Sequence, residues 1–195
     1  GDGRRQPEAC PGPSTFAFFS GDSDGSLRRA EEWVDRARAS GGLYDLGHAL
    51  TMYSGALHRF DTDRAIAMAE EAVRIGRDNG ITSVLSIGLL ALGAVLPNES
   101  LDDAPRALTL FEESIDVALT IGDVQALTAS SAAKAMLTAR LGEWRPALRA
   151  SADAAEQQLQ SGMLNMLPMT CFAAAIAFVG LGQLEPGAVL LAVMS

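Results

Sequence analysis

Four acidic or polar stretches, each closed by a glycine, divide a chain otherwise rich in alanine and leucine. "AEEWVDRARASG" ends at Gly41, "AEEAVRIGRDNG" at Gly80, "FEESIDVALTIG" at Gly122 and "SADAAEQQLQSG" at Gly162. Glycine closes helices readily because it adopts the left-handed conformation of the cap without a Cβ penalty. The intervals between these glycines are 39, 42 and 40 residues. The first two stretches share Ala-Glu-Glu-x-Val, from Ala30 and from Ala69, and the third keeps Glu112, Glu113 and Ile115. A period near 40 predicts a helical repeat array.

Each unit divides into two helices. First helices are predicted over about 43–58, 81–95, 123–141 and 165–180. Second helices are predicted over about 63–79, 105–121 and 146–161, with a last one starting near 186. Between first and second helices lie "RFDTDR", "PNESLDDA", "LGEWRPAL" and "LGQLEPGA". In the last two, Leu141, Gly142 and Pro146 recur as Leu181, Gly182 and Pro186, which makes them the same turn in successive units. Asp61, Asp63, Asp102 and Asp103 precede second helices, where a carboxylate suits the positive helix start and caps free N–H groups. Pro105, Pro146 and Pro186 fit a first helical turn, where the missing N–H costs nothing. Ala65, Ala107, Ala147 and Gly187 stand just inside the second helices, and Ala72, Ser114 and Ala154 follow seven residues later. Seven residues are two turns, so each pair faces one way and lets a neighbouring helix approach closely.

On these residues the chain resembles the tetratricopeptide repeat. Gly142, Trp144, Ala147 and Ala154 match that family's turn glycine, aromatic and two small residues in order. Gly21, in "GDSDGSL", resembles the turn of an earlier unit, with Ser26 and Trp33 in the small-residue places. The resemblance implies an all-α fold: a right-handed superhelical array of antiparallel helix pairs. It covers about residues 16–195 as one repeat domain, with units ending near Gly41, Gly80, Gly122 and Gly162 and a partial last unit. "RALTLFEESIDVALTIGD", residues 106–123, resembles the helical sensor regions of large bacterial regulators. These are the LuxR-type, maltose-activator-like transcription factors and the ATPase regulators fused to a cyclase. That likeness implies a regulatory part of a longer chain, whose ATPase and DNA-reading modules would lie outside these residues.

The net charge of −9 argues against a nucleic-acid surface, which needs clustered Lys and Arg. Lys134 is the single lysine and sits in "AAKAML", so no phosphate loop of the G-x-x-x-x-G-K-[S/T] kind is present. Two cysteines, Cys10 and Cys171, make no disulfide framework, and a reducing cytosol is the expected compartment. Residues 163–181 are mostly apolar, but Asn165, Pro168 and Thr170 interrupt them without an aromatic belt or basic flank, so a buried helix is expected in place of a membrane span. His48 and His58 lie off one another's face with no cysteine near, so neither metal nor cofactor is expected. "DSDG" at 22–25 resembles the start of a calcium loop but lacks the third acidic ligand before the glycine and carries Trp33 at the twelfth position, where glutamate is required, so it reads as a turn. Met163, Met166 and Met169, three apart, read as core packing, and Trp33 and Trp144 as wedges between helices. The repeated acidic pairs read as solvated helix faces. The first 15 residues, "GDGRRQPEACPGPST", carry several breakers and read as a tail.

No nucleophile has a supporting motif, so the chain reads as non-catalytic. Three functions are open: a protein-interaction or regulatory scaffold, an effector sensor binding a small ligand in the superhelix groove, and an all-helical enzyme. The scaffold comes first. In tetratricopeptide arrays first helices line the concave face, which would place Leu50, Ser54, His58, Met136, Arg140 and Ile176 near the groove. Partners are a protein or peptide, or flanking domains of the same longer chain, with no direct nucleic-acid contact and no membrane. In "QLEPGAVLLAVMS", residues 183–195, Val189, Leu190, Leu191, Val193 and Met194 cannot all point inward from one short helix. The native protein is therefore expected to continue past Ser195, and this segment to self-associate through that end.

Overall fold

A computed structural model describes residues 23–97 and 100–193, and every regular element among them is helical. In chain order they are α1 (Ser23–Ser40), α2 (Leu43–Leu57), α3 (Thr62–Asn79), α4 (Thr82–Val95), α5 (Ala104–Ile121), α6 (Val124–Arg140), α7 (Trp144–Ser161), a 3-10 turn (Leu164–Met166), α8 (Leu167–Gly180) and α9 (Leu184–Val193). The helix–turn boundaries match the sequence pattern to within about two residues. One difference is at "DSDG": Ser23, Asp24 and Gly25 already belong to α1 instead of forming a turn. Gly21, Cys10 and the predicted tail lie outside the described residues.

Local chemistry explains the boundaries. Gly41, Gly80, Gly122 and Gly162 close α1, α3, α5 and α7, while Gly142 and Gly182 follow α6 and α8. All six hold φ between 65° and 77°, the left-handed region where a Cβ is strained. Asp61 caps α3, its Oδ1 accepting from Arg64 N at 3.0 Å, and Asp123 caps α6 by accepting from Ala126 N at 3.0 Å. Pro105 and Pro168 stand in the first turns of α5 and α8.

Each helix packs on its neighbours in sequence. The first helices α2, α4, α6 and α8 also pack on one another in succession, and no pair of second helices does so comparably among the described residues. The second helices bury a stripe at a fixed register. In α3 it is Ala65, Ala69, Ala72 and Gly76; in α5 Ala107, Phe111, Ser114 and Ala118; in α7 Ala147, Ser151, Ala154 and Gln158. The spacings of four, three and four residues keep the stripe on one face. Its small side chains bring backbones close: a Cβ built on Gly76 would stand 2.6 Å from the backbone nitrogen of Leu85. Where the stripe carries a large residue, the facing helix gives way, and Phe111 fills the space left by Gly93.

The apolar core is unevenly distributed. One cluster runs from Ala30 to Phe111 with Leu137, and includes Leu50, Tyr53, Leu57, Leu89 and Leu92. A second consists of Ala135, Ala139, Ala147, Ala173 and Ala177, with Met136, Trp144, Leu148, Ala150 and Ile176 against it. Buried hydrogen bonds supplement the alanines here. Ser114 Oγ donates to Ser86 O at 2.8 Å and meets Ser130 Oγ at 2.8 Å, and Gln158 Nε2 donates to Thr170 Oγ1 at 3.0 Å. No helix among the described residues is long and apolar enough to cross a membrane; the apolar run at 163–181 becomes the 3-10 turn and α8.

Candidate functional site

The residues expected to line a groove part company. Leu50 and Ser54 have no exposed surface, because α2 is covered by α1, α3 and α4 together. They therefore cannot line a surface groove, which corrects their placement. His58, Met136 and Ile176 are half-buried, the last two packed against the alanine cluster. His58 Nδ1 lies 2.8 Å from Gly55 O. Arg140 is exposed, yet its Nη2 donates to Pro97 O at 3.0 Å, tying the end of α6 to the turn after α4. Trp33 and Trp144 are both half-buried, Trp33 against the larger core cluster and Trp144 against the alanine one. Met163, Met166 and Met169 are half-buried around the 3-10 turn. Among the described residues no cluster of His, Cys, Asp and Glu could hold a metal.

His48 packs on Tyr44 with ring centroids 4.5 Å apart, and its Nε2 is buried with no hydrogen-bond partner. Burial lowers its pKa, with the carboxylates of Asp123 and Asp45 pulling the other way.

Among the described residues, all but Glu32 of the glutamates in the repeated acidic pairs meet a cation. Arg38 Nη2 lies 2.9 Å from Glu71 Oε2, and Arg64 Nη2 3.0 Å from Glu31 Oε1, joining α1 to α3. Arg77 Nη2 lies 2.6 Å from Glu113 Oε1, and Arg106 Nη2 3.1 Å from Glu70 Oε1, joining α3 to α5. Arg38 and Arg77 hold the same place in their units, as do Arg64 and Arg106, so the two junctions are bridged identically. Long side chains thus connect helices whose backbones stay apart. At the first junction Tyr53 joins in: its hydroxyl donates to Glu31 Oε1 at 2.7 Å, and the Arg64 guanidinium lies 5.1 Å over its ring. The Tyr53 hydrogen bond, then that of Arg64, lowers the Glu31 pKa. Burial, then the bond to Glu31, raises that of Tyr53 to about 12.

The third junction, α5 to α7, lacks these bridges. Leu119 stands where Arg38 and Arg77 stand, and Pro146 where Arg64 and Arg106 stand. Glu112 pairs instead with Lys134 of α6, 2.8 Å away. Between α5, α6 and α7 lies an open cleft of about 570 Å³, lined among others by Leu108, Lys134, Thr138, Arg145, Arg149 and Asp153.

On α9, Leu184 is 65 % exposed, Val189 57 % and Leu191 41 %, while Leu190 is half-buried. Among the described residues α9 packs on α8 alone, whereas α3, α5 and α7 each pack on two first helices. Met194 and the side chain of Val193 lie outside the described residues. The chain matches no protein-family model and no curated protein sequence.

Proposed function

We propose that the chain is a non-catalytic protein-interaction scaffold, the repeat region of a larger cytoplasmic regulator, built as a right-handed tetratricopeptide-like superhelix. The observation that carries this reading is the asymmetry of the two layers. First helices pack on one another from hairpin to hairpin, whereas α1, α3 and α5 are joined through long side chains. A layer drawn together on one side and spaced on the other curves, and curved arrays of this kind offer an extended surface to a partner. The resemblance of residues 106–123 to bacterial sensor regions supports the regulatory role.

The test is hydroxyl-radical footprinting of the protein alone and with partners captured from its native extract. Protection running across several first helices, through His58 and Met136, supports the scaffold. A single compact protected patch, together with a metabolite that raises the melting temperature, would favour the effector-sensing alternative. Substrate turnover that persists through further purification would replace both with an enzyme.

A further inference from the structure

We propose that the cleft between α5, α6 and α7 is a docking site for an acidic segment of a partner protein, whose carboxylates pair with Arg145 and Arg149. This rests on the scaffold reading and assigns the chemistry of one partner surface.

The cleft lies where the repeat departs from its own rule. Arg–Glu pairs bridge the two preceding junctions, and substitution of their cations by Leu119 and Pro146 leaves α5 and α7 unbridged. Arg145 and Arg149 are one helical turn apart, share a face of α7 and line the cleft. Neither has a hydrogen-bond or ion-pair partner among the described residues. Glu112, which holds the register place of the bridging Glu31 and Glu70, is taken by Lys134 at 2.8 Å. Two guanidiniums one turn apart favour two carboxylates, because planar N–H forks match carboxylates in bidentate geometry. Leu108 and Ala150 add apolar surface beneath the charges.

Flanking charges narrow the partner further. Glu143 precedes the arginine pair on α7 and Asp153 follows it, and both line the cleft. A continuous polyanion such as nucleic acid would be repelled at both ends, while a short segment with central acids would not. From Glu143 to Asp153 the helix rises about 15 Å, the length of roughly four or five extended residues.

Fluorescence anisotropy tests this with a labelled, end-blocked peptide, Ala-Glu-Glu-Leu-Glu-Glu-Ala, and its glutamine counterpart. The protein is used as wild type, as the double variant Arg145→Glu/Arg149→Glu, and as Arg145→Gln/Arg149→Gln, which removes both charges while keeping polar side chains on that face of α7. The expected result is that the acidic peptide binds the wild type about tenfold or more tightly than the glutamine peptide, and less tightly as salt rises to about 0.5 M. The charge reversal abolishes that preference and the glutamine pair weakens it, both with unchanged circular dichroism. Both arginines are exposed, so the reversal does not disturb the core; should it nevertheless unfold, Arg145→Gln/Arg149→Gln carries the test. Equal binding of the two peptides, no binding of the acidic one, or binding that both variants leave intact overturns the proposal. A captured partner that the charge reversal leaves bound, with its footprint on the first helices, sinks the cleft and leaves the scaffold standing.

Discussion

The indole of Trp144, at the start of α7, lies flat enough on Gly180, at the end of α8, that a Cβ built there would stand 2.4 Å from the ring. Gly180 is therefore glycine for contact, not for conformation. Replacing it by alanine gains at most about 1 kcal/mol of helix preference and must displace a packed ring. Gly180→Ala is expected to destabilise by about 1–3 kcal/mol in urea unfolding and to red-shift Trp144 emission in a Trp33→Phe background. Unchanged stability and emission would mean that the ring moves aside freely.

Ala147 has no exposed surface and opens the buried stripe of α7. Three more heavy atoms there overpack the hairpin, so Ala147→Leu is expected to cost about 1–3 kcal/mol. The check is the midpoint of denaturant unfolding, and an unshifted midpoint would contradict the packing.

Gln158 and Thr170 are both fully buried, and each supplies the other's hydrogen bond. Thr170→Val leaves the Gln158 amide without that partner and is expected to cost about 1–3 kcal/mol. Adding Gln158→Met removes the orphan, so the double variant recovers part of the loss. A double-mutant cycle reads this directly; strict additivity of the two single changes would show that the bond contributes nothing.

The Tyr53 pKa is pushed up to about 12 because burial disfavours the phenolate and the protonated hydroxyl donates a hydrogen bond to Glu31. Its folded pKa lies above the ordinary value near 10. The unfolded chain therefore ionises first, and the stabilisation, complete below that value, is lost as pH rises through about 12. Absorbance titration should resolve Tyr53 in this high range. Glu31→Gln should lower its pKa only partly, since burial is the larger cause. In the other direction, Tyr53→Phe removes the largest influence holding Glu31 down, and the Glu31 carboxylate should titrate higher by NMR.

The exposed face of α9 predicts association. Sedimentation across a concentration range should show self-association that Leu191→Glu suppresses. A monomer at high concentration in both proteins would mean that this face needs no cover.

Helix order and boundaries were legible because their causes are local: a left-handed glycine such as Gly80 or Gly162 and a capping Asp61 act within a turn of where they stand. What escaped depends on distance. Gly93 and Gly180 look like weak points of helices until Phe111 and Trp144 arrive from another helix. The acidic pairs were visible as a repeat, but their arginines lie 33 to 36 residues away, so the pairs looked merely solvated. Leu50 and Ser54 were placed in a groove because a first helix was assumed to leave one face open. The periodicity of α2 does not reveal that three helices cover it. The cleft follows from the same gap: only once the Arg–Glu register is known do Leu119 and Pro146 read as departures from it.

The bridged junctions also have a mechanical meaning. Arginine and glutamate side chains are extensible struts, so the spacing of α1, α3 and α5 can change by small amounts while the packed layer beneath keeps its contacts. Two struts in parallel also resist twisting more than one does. At α5 and α7 both are missing, and Leu159 and Pro186 hold the same two places at the junction of α7 and α9, so beyond α5 the second helices lack these braces. The struts, like the larger core cluster, belong to the N-terminal half of the described residues, so a load applied at α9 meets the unbraced junctions before it reaches α3.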